Sequence, residues 1–236
     1  MGSRMMHYAL GKTLAERLCT EDKEGFILGS ILPDALPPDK KHDCNCHYIT
    51  LFDDGRYKWF DSLQFYNEYE KEIKSDAIYL GYYFHLISDN VFRQIFYIDL
   101  GLIKRRGEKS LFQELYRDYN ILNRHIADFY HMEKDISVPD RLRDTALFKR
   151  FGFEPEVLIK DIYSDIDSHY EGNTMHFDMD VVRRFVDESS ALCIKELEAV
   201  KNGAHAYDRY MMAIENHYSD KKTGETPDEK SNTVRP

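Results

Sequence analysis

His85 and Asp89 stand four residues apart in the stretch GYYFHLISDNVFR. On an α-helix that spacing puts both side chains on one face, about 40° apart. Their neighbours are apolar nearly all round the helix. A buried, ionised carboxylate costs on the order of several kcal/mol unless it is paired or binds a metal. Two arrangements answer that cost. His85 and Asp89 can offer two ligands to one cation. Alternatively, Asp89 pairs with Arg93, a further four residues on, while His85 makes a hydrogen bond in the core. Three more residues carry matching chemistry. His7 opens the first helical segment, Asp34 follows the apolar run of LGSILPDA directly behind Pro33, and His47 closes a long loop in CHYIT. Each has an ordinary reading as well: a solvated terminal histidine, an aspartate that caps a turn, and a surface histidine.

The elements that must position these residues read as helices. His7 to Leu18 has Tyr8, Leu10, Leu14 and Leu18 at helical spacing, and FILGSIL within Glu24 to Leu32 is stopped by Pro33. Pro33 to His47 has three prolines and no periodicity, so it reads as a loop of unusual length, a kind that is often functional. Tyr48 to Trp59, with Asp54-Gly55 at its middle, predicts a small hairpin or wide turn. Asp61 to Ile73 is amphipathic. Asp76 to Phe96 is apolar around most of its circumference, the pattern of a central helix. Leu111 to Tyr130 is long and striped, and Pro139 to Phe153 is a short-helical connection. Glu156 to Ile166, Val181 to Val200 and Ala204 to Tyr218 add three helical segments. The expected architecture is one all-α, multi-helix bundle over residues 1–218, followed by a disordered polar tail over 219–236.

Composition narrows the class. The chain has 236 residues, 42% hydrophobic and 31% charged, which suits a soluble globular protein. No apolar run nears the ~20 residues of a membrane span, and no secretory signal is visible. A net charge of −10 argues against a broad nucleic-acid binder, although a bound cation would invert the field locally. The cysteines are Cys19, Cys44, Cys46 and Cys193. Cys44 to His47, CNCH, resembles a metal fragment, but a zinc ribbon needs a second ligand pair and none is present. Reduced thiols and a cytoplasmic location are expected.

Taken in order, MHYALGK, FILGSILPDA, CHY, DGRYKWFDSLQFYNEY and GYYFHLISDNVFR resemble the zinc-dependent phospholipase C and single-strand nuclease superfamily, in particular its small bacterial phospholipase C-like branch. The resemblance runs from about Met6 to Arg93. It implies an all-α phospholipase C/nuclease-like bundle and His7, Asp34, His47, His85 and Asp89 as metal ligands. It further implies one to three divalent ions, zinc foremost, and hydrolysis of a small phosphoester or phospholipid-like substrate by a metal-activated water. Asp34 is the residue expected to orient or deprotonate that water. Tyr48, Trp59 and Tyr82 are pocket candidates, with core packing the commoner fate of such aromatics.

The chain departs from the family in places. The enzymes that define the superfamily are exported, use the mature N-terminal amine as a ligand, and carry a further His and a His-x-x-x-Glu pair after the His-x-x-x-Asp helix. Here the next histidine after Asp89 is His125. Lying beside Leu122 and Phe129, it is the candidate for one more ligand. Asp128 sits one turn on, and His131 with Asp135 is read as surface. Two other functions stay open. One is an HD-type phosphohydrolase using His7, His42-Asp43 and Asp89, although that His-Asp pair lies in a polar loop. The other is a non-catalytic all-α interaction or regulatory protein with a degenerate metal site. The oligomeric state is not legible.

Overall fold

The structure, a computed structural model, describes residues 2–37 and 45–216. Among these are nine helices: α1 (Arg4–Arg17), α2 (Lys23–Ile31), α3 (Ser62–Ser75), α4 (Ala77–Arg93), α5 (Lys109–Phe129), α6 (Ala146–Phe151), α7 (Pro155–Ile166), α8 (Met179–Lys201) and α9 (Arg209–Met212). The fold is all-α, with one small antiparallel sheet in the order β1 (Ile49–Phe52), β2 (Tyr57–Phe60), β3 (Ile214–Glu215).

Helix α4 is the axis of the bundle. Asp76 caps it by accepting from the Ile78 N–H at 2.9 Å. Nearly every residue from Ile78 to Arg93 is buried, as its all-round apolar pattern predicts. Helix α2 crosses α4 backbone to backbone. A Cβ on Gly29 would lie 2.1 Å from the Ile78 carbonyl oxygen, and one on Gly81 would lie 2.2 Å from that of Phe26. Small residues alone permit this approach. Helix α1 lies against α2 and is capped by Ser3, whose Oγ accepts from the Met6 N–H at 3.2 Å. Helix α8 covers α1 and α4 from the far side, and the core runs continuously from Met5 to Met212.

The predicted hairpin is β1–β2, with Ile49 opposite Phe60 and Phe52 opposite Tyr57. Its turn uses left-handed conformations at Asp53, Asp54 and Gly55. Asn90 of α4 ties the hairpin down. Its Oδ1 accepts from the Phe60 N–H at 3.0 Å, and its Nδ2 donates to the Phe60 carbonyl at 2.8 Å. Tyr48, Trp59 and Tyr82 are buried core residues.

One helical expectation is corrected. Ala204 to Tyr218 holds only the single turn of α9 and strand β3 among its described residues. Buried Glu196 captures the preceding segment, accepting from the Ala206 N–H at 2.6 Å, pairing with His205 Nδ1 at 2.6 Å and accepting from the Tyr83 hydroxyl at 2.7 Å. Those bonds remove backbone and side-chain groups that a continuous helix would need free. After Met212 the chain turns extended to pair Ile214 with Lys58. The polar tail, His42, Asp43 and Cys44 lie outside the described residues.

Candidate metal centre

Five of the sequence candidates converge beside α4. His7 comes from the end of the first turn of α1, and Asp34 from the 3-10 turn Leu32–Asp34 that ends α2. His47 lies just before β1, while His85 and Asp89 lie on α4. His7 Nε2 is 3.3 Å from Asp89 Oδ1, and His85 Nε2 is 3.5 Å from Asp89 Oδ2. His47 Nε2 is 3.4 Å from Asp34 Oδ1 and 3.8 Å from Asp89 Oδ2. The His7 and His85 rings stack at 3.9 Å, and His47 lies 5.2 Å from His85, centroid to centroid. Two ligand groups result, His7–His85–Asp89 and Asp34–His47–His85, which share His85. Among the described residues no further group of three or more such side chains comes together.

The outer nitrogen of each ring is already engaged. His85 Nδ1 donates to the Ser30 carbonyl at 2.9 Å. The Ser88 hydroxyl donates to the His85 carbonyl at 2.8 Å, so it is left to accept from His7 Nδ1 at 3.2 Å. Cys46 Sγ lies 3.3 Å from the Pro33 carbonyl and 3.2 Å from His47 Nδ1, so the thiol donates to the carbonyl and accepts from the ring. These outer bonds fix the tautomer that leaves each Nε2 lone pair pointing inward. The three Nε2 atoms and Asp89 Oδ2 are buried and have no hydrogen-bond partner. Four inward-facing acceptors without a donor repel one another, and a cation at their centre would satisfy all of them. The donor set, imidazole nitrogens and carboxylates, is the one zinc and its neighbours prefer.

Electrostatics follow from the same crowding. Burial alone would raise Asp89, but the adjoining His7 and His85 hold its carboxyl well below the usual range. Burial opposes the Asp34 carboxylate too, yet the adjoining His47, with His85 and His7 nearby, brings it to about 2. Both carboxylates are thus ionised. Burial, then the nearby His85, push His7 down. His85 is opposed by burial but lifted overall by Asp89 and Asp34.

Access is one-sided. The side chains of His7, His85 and Asp89 are fully buried, whereas His47 and Asp34 keep 11% and 17% of their surface. Gly2 closes the inner side. Its N–H donates to Asp89 Oδ1 at 3.1 Å, and a Cβ there would lie 2.9 Å from His7 Nε2.

Two sequence expectations do not fit this geometry. His125 is not brought to the cluster. It is exposed on α5 and borders a shallow groove with Asp128, Phe129, Met179 and Arg183. The inward stripe of α5 is Leu115, Tyr119, Leu122 and Ile126, and both His125 and the half-exposed Phe129 fall outside it. Arg93 does not pair with Asp89, whose oxygens face histidines. Its guanidinium instead lies over the Phe60 ring at 5.1 Å. Sequence reasoning also missed Ser88 and Gly2, and took Cys46 only as part of the CNCH fragment, whereas all three orient or enclose the candidate ligands. Ser88 carried a signal in lying one turn after His85.

The fold and centre define an all-α protein with a His/Asp site of the kind that holds divalent cations. Comparison with known families agrees. Residues 6–92 match the family described as Zinc dependent phospholipase C. All five converging residues lie inside the match, and His125 lies outside it. No match is found among the curated proteins or the solved structures. No helix among the described residues is long and apolar enough to cross a membrane.

Proposed function

We propose that the protein is a zinc-dependent phosphoester hydrolase acting on a small phosphoester or phospholipid-like substrate. The observation that carries this reading is the convergence of three histidine Nε2 atoms and an Asp89 oxygen, all buried and unpartnered. Bound there, a divalent metal supplies Lewis-acid charge to phosphoryl oxygens and acidifies a water. His7, His85 and Asp89 are its inner ligands, and His47 with Asp34 completes a second group through the shared His85. Asp34 stands at the solvent edge with an ionised carboxylate. Its role in this reading is to accept a proton from a water or to complete the ligand set. His47 shares that edge, so substrate enters past these two residues.

A second reading has its own support. His7, His85 and Asp89 have no exposed side-chain surface, which suits a structural ion in a non-catalytic protein. Elemental analysis of protein purified without chelator, beside His85→Ala and Asp34→Ala, tests the centre. Near one or more equivalents of zinc, lost in His85→Ala, is expected, and no metal after zinc addition overturns the proposal. Hydrolysis of phosphoesters that vanishes in both variants separates the enzyme from the structural ion. Metal retention without turnover on any phosphoester leaves the structural reading standing.

A further inference from the structure

Arg93 is 4% exposed, and its Nη1 is shielded from solvent with no hydrogen-bond partner. A buried guanidinium without a counter-charge is costly. Arg93 follows Asp89 by four residues on α4, one helical turn along the same face. Among the described residues no carboxylate lies within ion-pair distance of it. Its guanidinium covers one side of Phe60 at 5.1 Å, and the His47 ring lies 5.9 Å from the same phenyl ring. One aromatic side chain therefore separates the guanidinium from a candidate ligand.

A second cation joins it. Lys58 precedes Phe60 by two residues on β2, so both stand on one face of the strand. Lys58 is half-buried and likewise has no carboxylate partner among the described residues. Burial, then Arg93 and Arg106, push its ammonium down from the ordinary lysine value. Burial also brings Arg93 to about 10, with Arg106 adding to the effect against Tyr97 and Asp89. Arg93 and Lys58, neither with a carboxylate partner among the described residues, are thus near enough to affect one another on a chain whose net charge is −10. Two like charges so placed are unfavourable to one another unless an anion offsets them.

We infer that Arg93 and Lys58 form the anion-recognition half of the centre and seat the phosphoryl oxygens of the substrate. This rests on the phosphoester reading above. The planar guanidinium offers paired N–H donors that match two oxygens of a tetrahedral phosphate, and the ammonium adds a point charge. A free phosphomonoester and a lipid headgroup share that chemistry.

The test is calorimetric titration of inorganic phosphate into the zinc-supplemented protein, with metal content measured on every sample. Arg93→Met is expected to weaken phosphate binding at least tenfold at unchanged metal content. Lys58→Met should weaken it less, and Arg93→Lys should restore part of the loss. Arg93→Met removes an unpaired buried charge at similar volume, so it should melt no lower than the wild type in phosphate-free buffer. Parallel titrations with glycerol 3-phosphate and a short-chain phosphatidylcholine identify the source, by whichever binds more tightly and is lost in Arg93→Met. Equal phosphate affinity in Arg93→Met and wild type at equal metal content overturns the inference. So does the absence of phosphate binding to the wild type. Loss of phosphate binding in His85→Ala but not in Arg93→Met places the anion on the metal alone and also overturns it. A wild type that takes up no metal yet binds phosphate through Arg93 sinks the hydrolase reading while this anion site stands.

Discussion

Replacing Gly29 by alanine tests the helix crossing that sets the centre. In most helix interiors this change stabilises by about 1 kcal/mol, because alanine restricts the unfolded chain. Here the new Cβ would meet the Ile78 carbonyl oxygen at 2.1 Å, whereas ordinary contact begins near 3.4 Å. The two backbones must part by about 1.3 Å at that point. No flexible side chain can yield, since the obstacle is the first turn of α4. Overpacking a core costs ~1–3 kcal/mol, and a backbone obstacle belongs at the top of that range. After the propensity gain, the net cost is about 2 kcal/mol, or ~4–8 °C in melting temperature for a chain of this size. The same displacement reaches the centre. Ser30, the next residue, holds His85 Nδ1 at 2.9 Å, and Asp34 ends the same segment. Metal ligands tolerate errors of only ~0.2 Å, so zinc affinity should fall at least tenfold. Thermal unfolding and a zinc titration against a competing chelator measure the two effects. A Gly29→Ala protein as stable as the wild type, with its zinc affinity intact, would refute the close crossing and the coupling drawn from it.

Other outcomes are expected. Ser88→Ala removes the hydroxyl that accepts from His7 Nδ1, and outer-shell losses of this kind cost ~10–100-fold in metal affinity. A chelator-competition titration reads this, and unchanged affinity would mean that His7 is not a ligand. Gly2→Ala puts a Cβ 2.9 Å from His7 Nε2, so it should weaken zinc binding by the same assay while leaving the melting temperature of the metal-free protein unchanged. Glu196→Gln turns one acceptor toward donors from Tyr83, His205 or the Ala206 N–H. It should cost ~1.5–3 kcal/mol in chemical denaturation with metal content preserved, because this network is separate from the centre. Stripping the metal should lower the melting temperature, since binding at 1,000 times Kd contributes about 4 kcal/mol. A melting curve indifferent to verified metal removal would count against any ion at this site.

The helices were legible wherever one face alone is apolar or where the whole surface is. The run around His85 announced a central helix, and the apolar residues of α1, α5 and α8 marked their inward faces. The segment after Ala204 was not legible, because its shape depends on Glu196, a carboxylate eight residues or more away whose burial no local pattern reveals. His125 was misplaced because Leu122 and Phe129 bracket it in sequence, while the packed stripe of α5 runs through Ile126 and leaves Phe129 half exposed. The five converging residues were found by residue type, order and family resemblance. Spacing alone made Asp89 and Arg93 look like an ion pair. The structure instead turns Asp89 toward rings from α1 and α4 and lays Arg93 over Phe60 of the hairpin, contacts between distant segments that no single-sequence spacing encodes. Ser88 escaped notice for the same reason, since it matters through a ring nitrogen on another helix.

The fully buried Phe185 of α8 stands at right angles to the His7 ring, centroid to centroid 5.9 Å, and forms one wall beside it. Every one of the five converging residues, from His7 to Asp89, precedes it in the chain. During translation at roughly 5–20 residues per second, the five residues emerge on the order of five to twenty seconds before the helix that supplies this wall. Until α8 docks, the cluster therefore lacks the apolar cover beside His7, while Gly2 is already in place on its inner side. In the docked fold the partly exposed side chains of Asp34 and His47 form the edge through which an ion bound there would exchange.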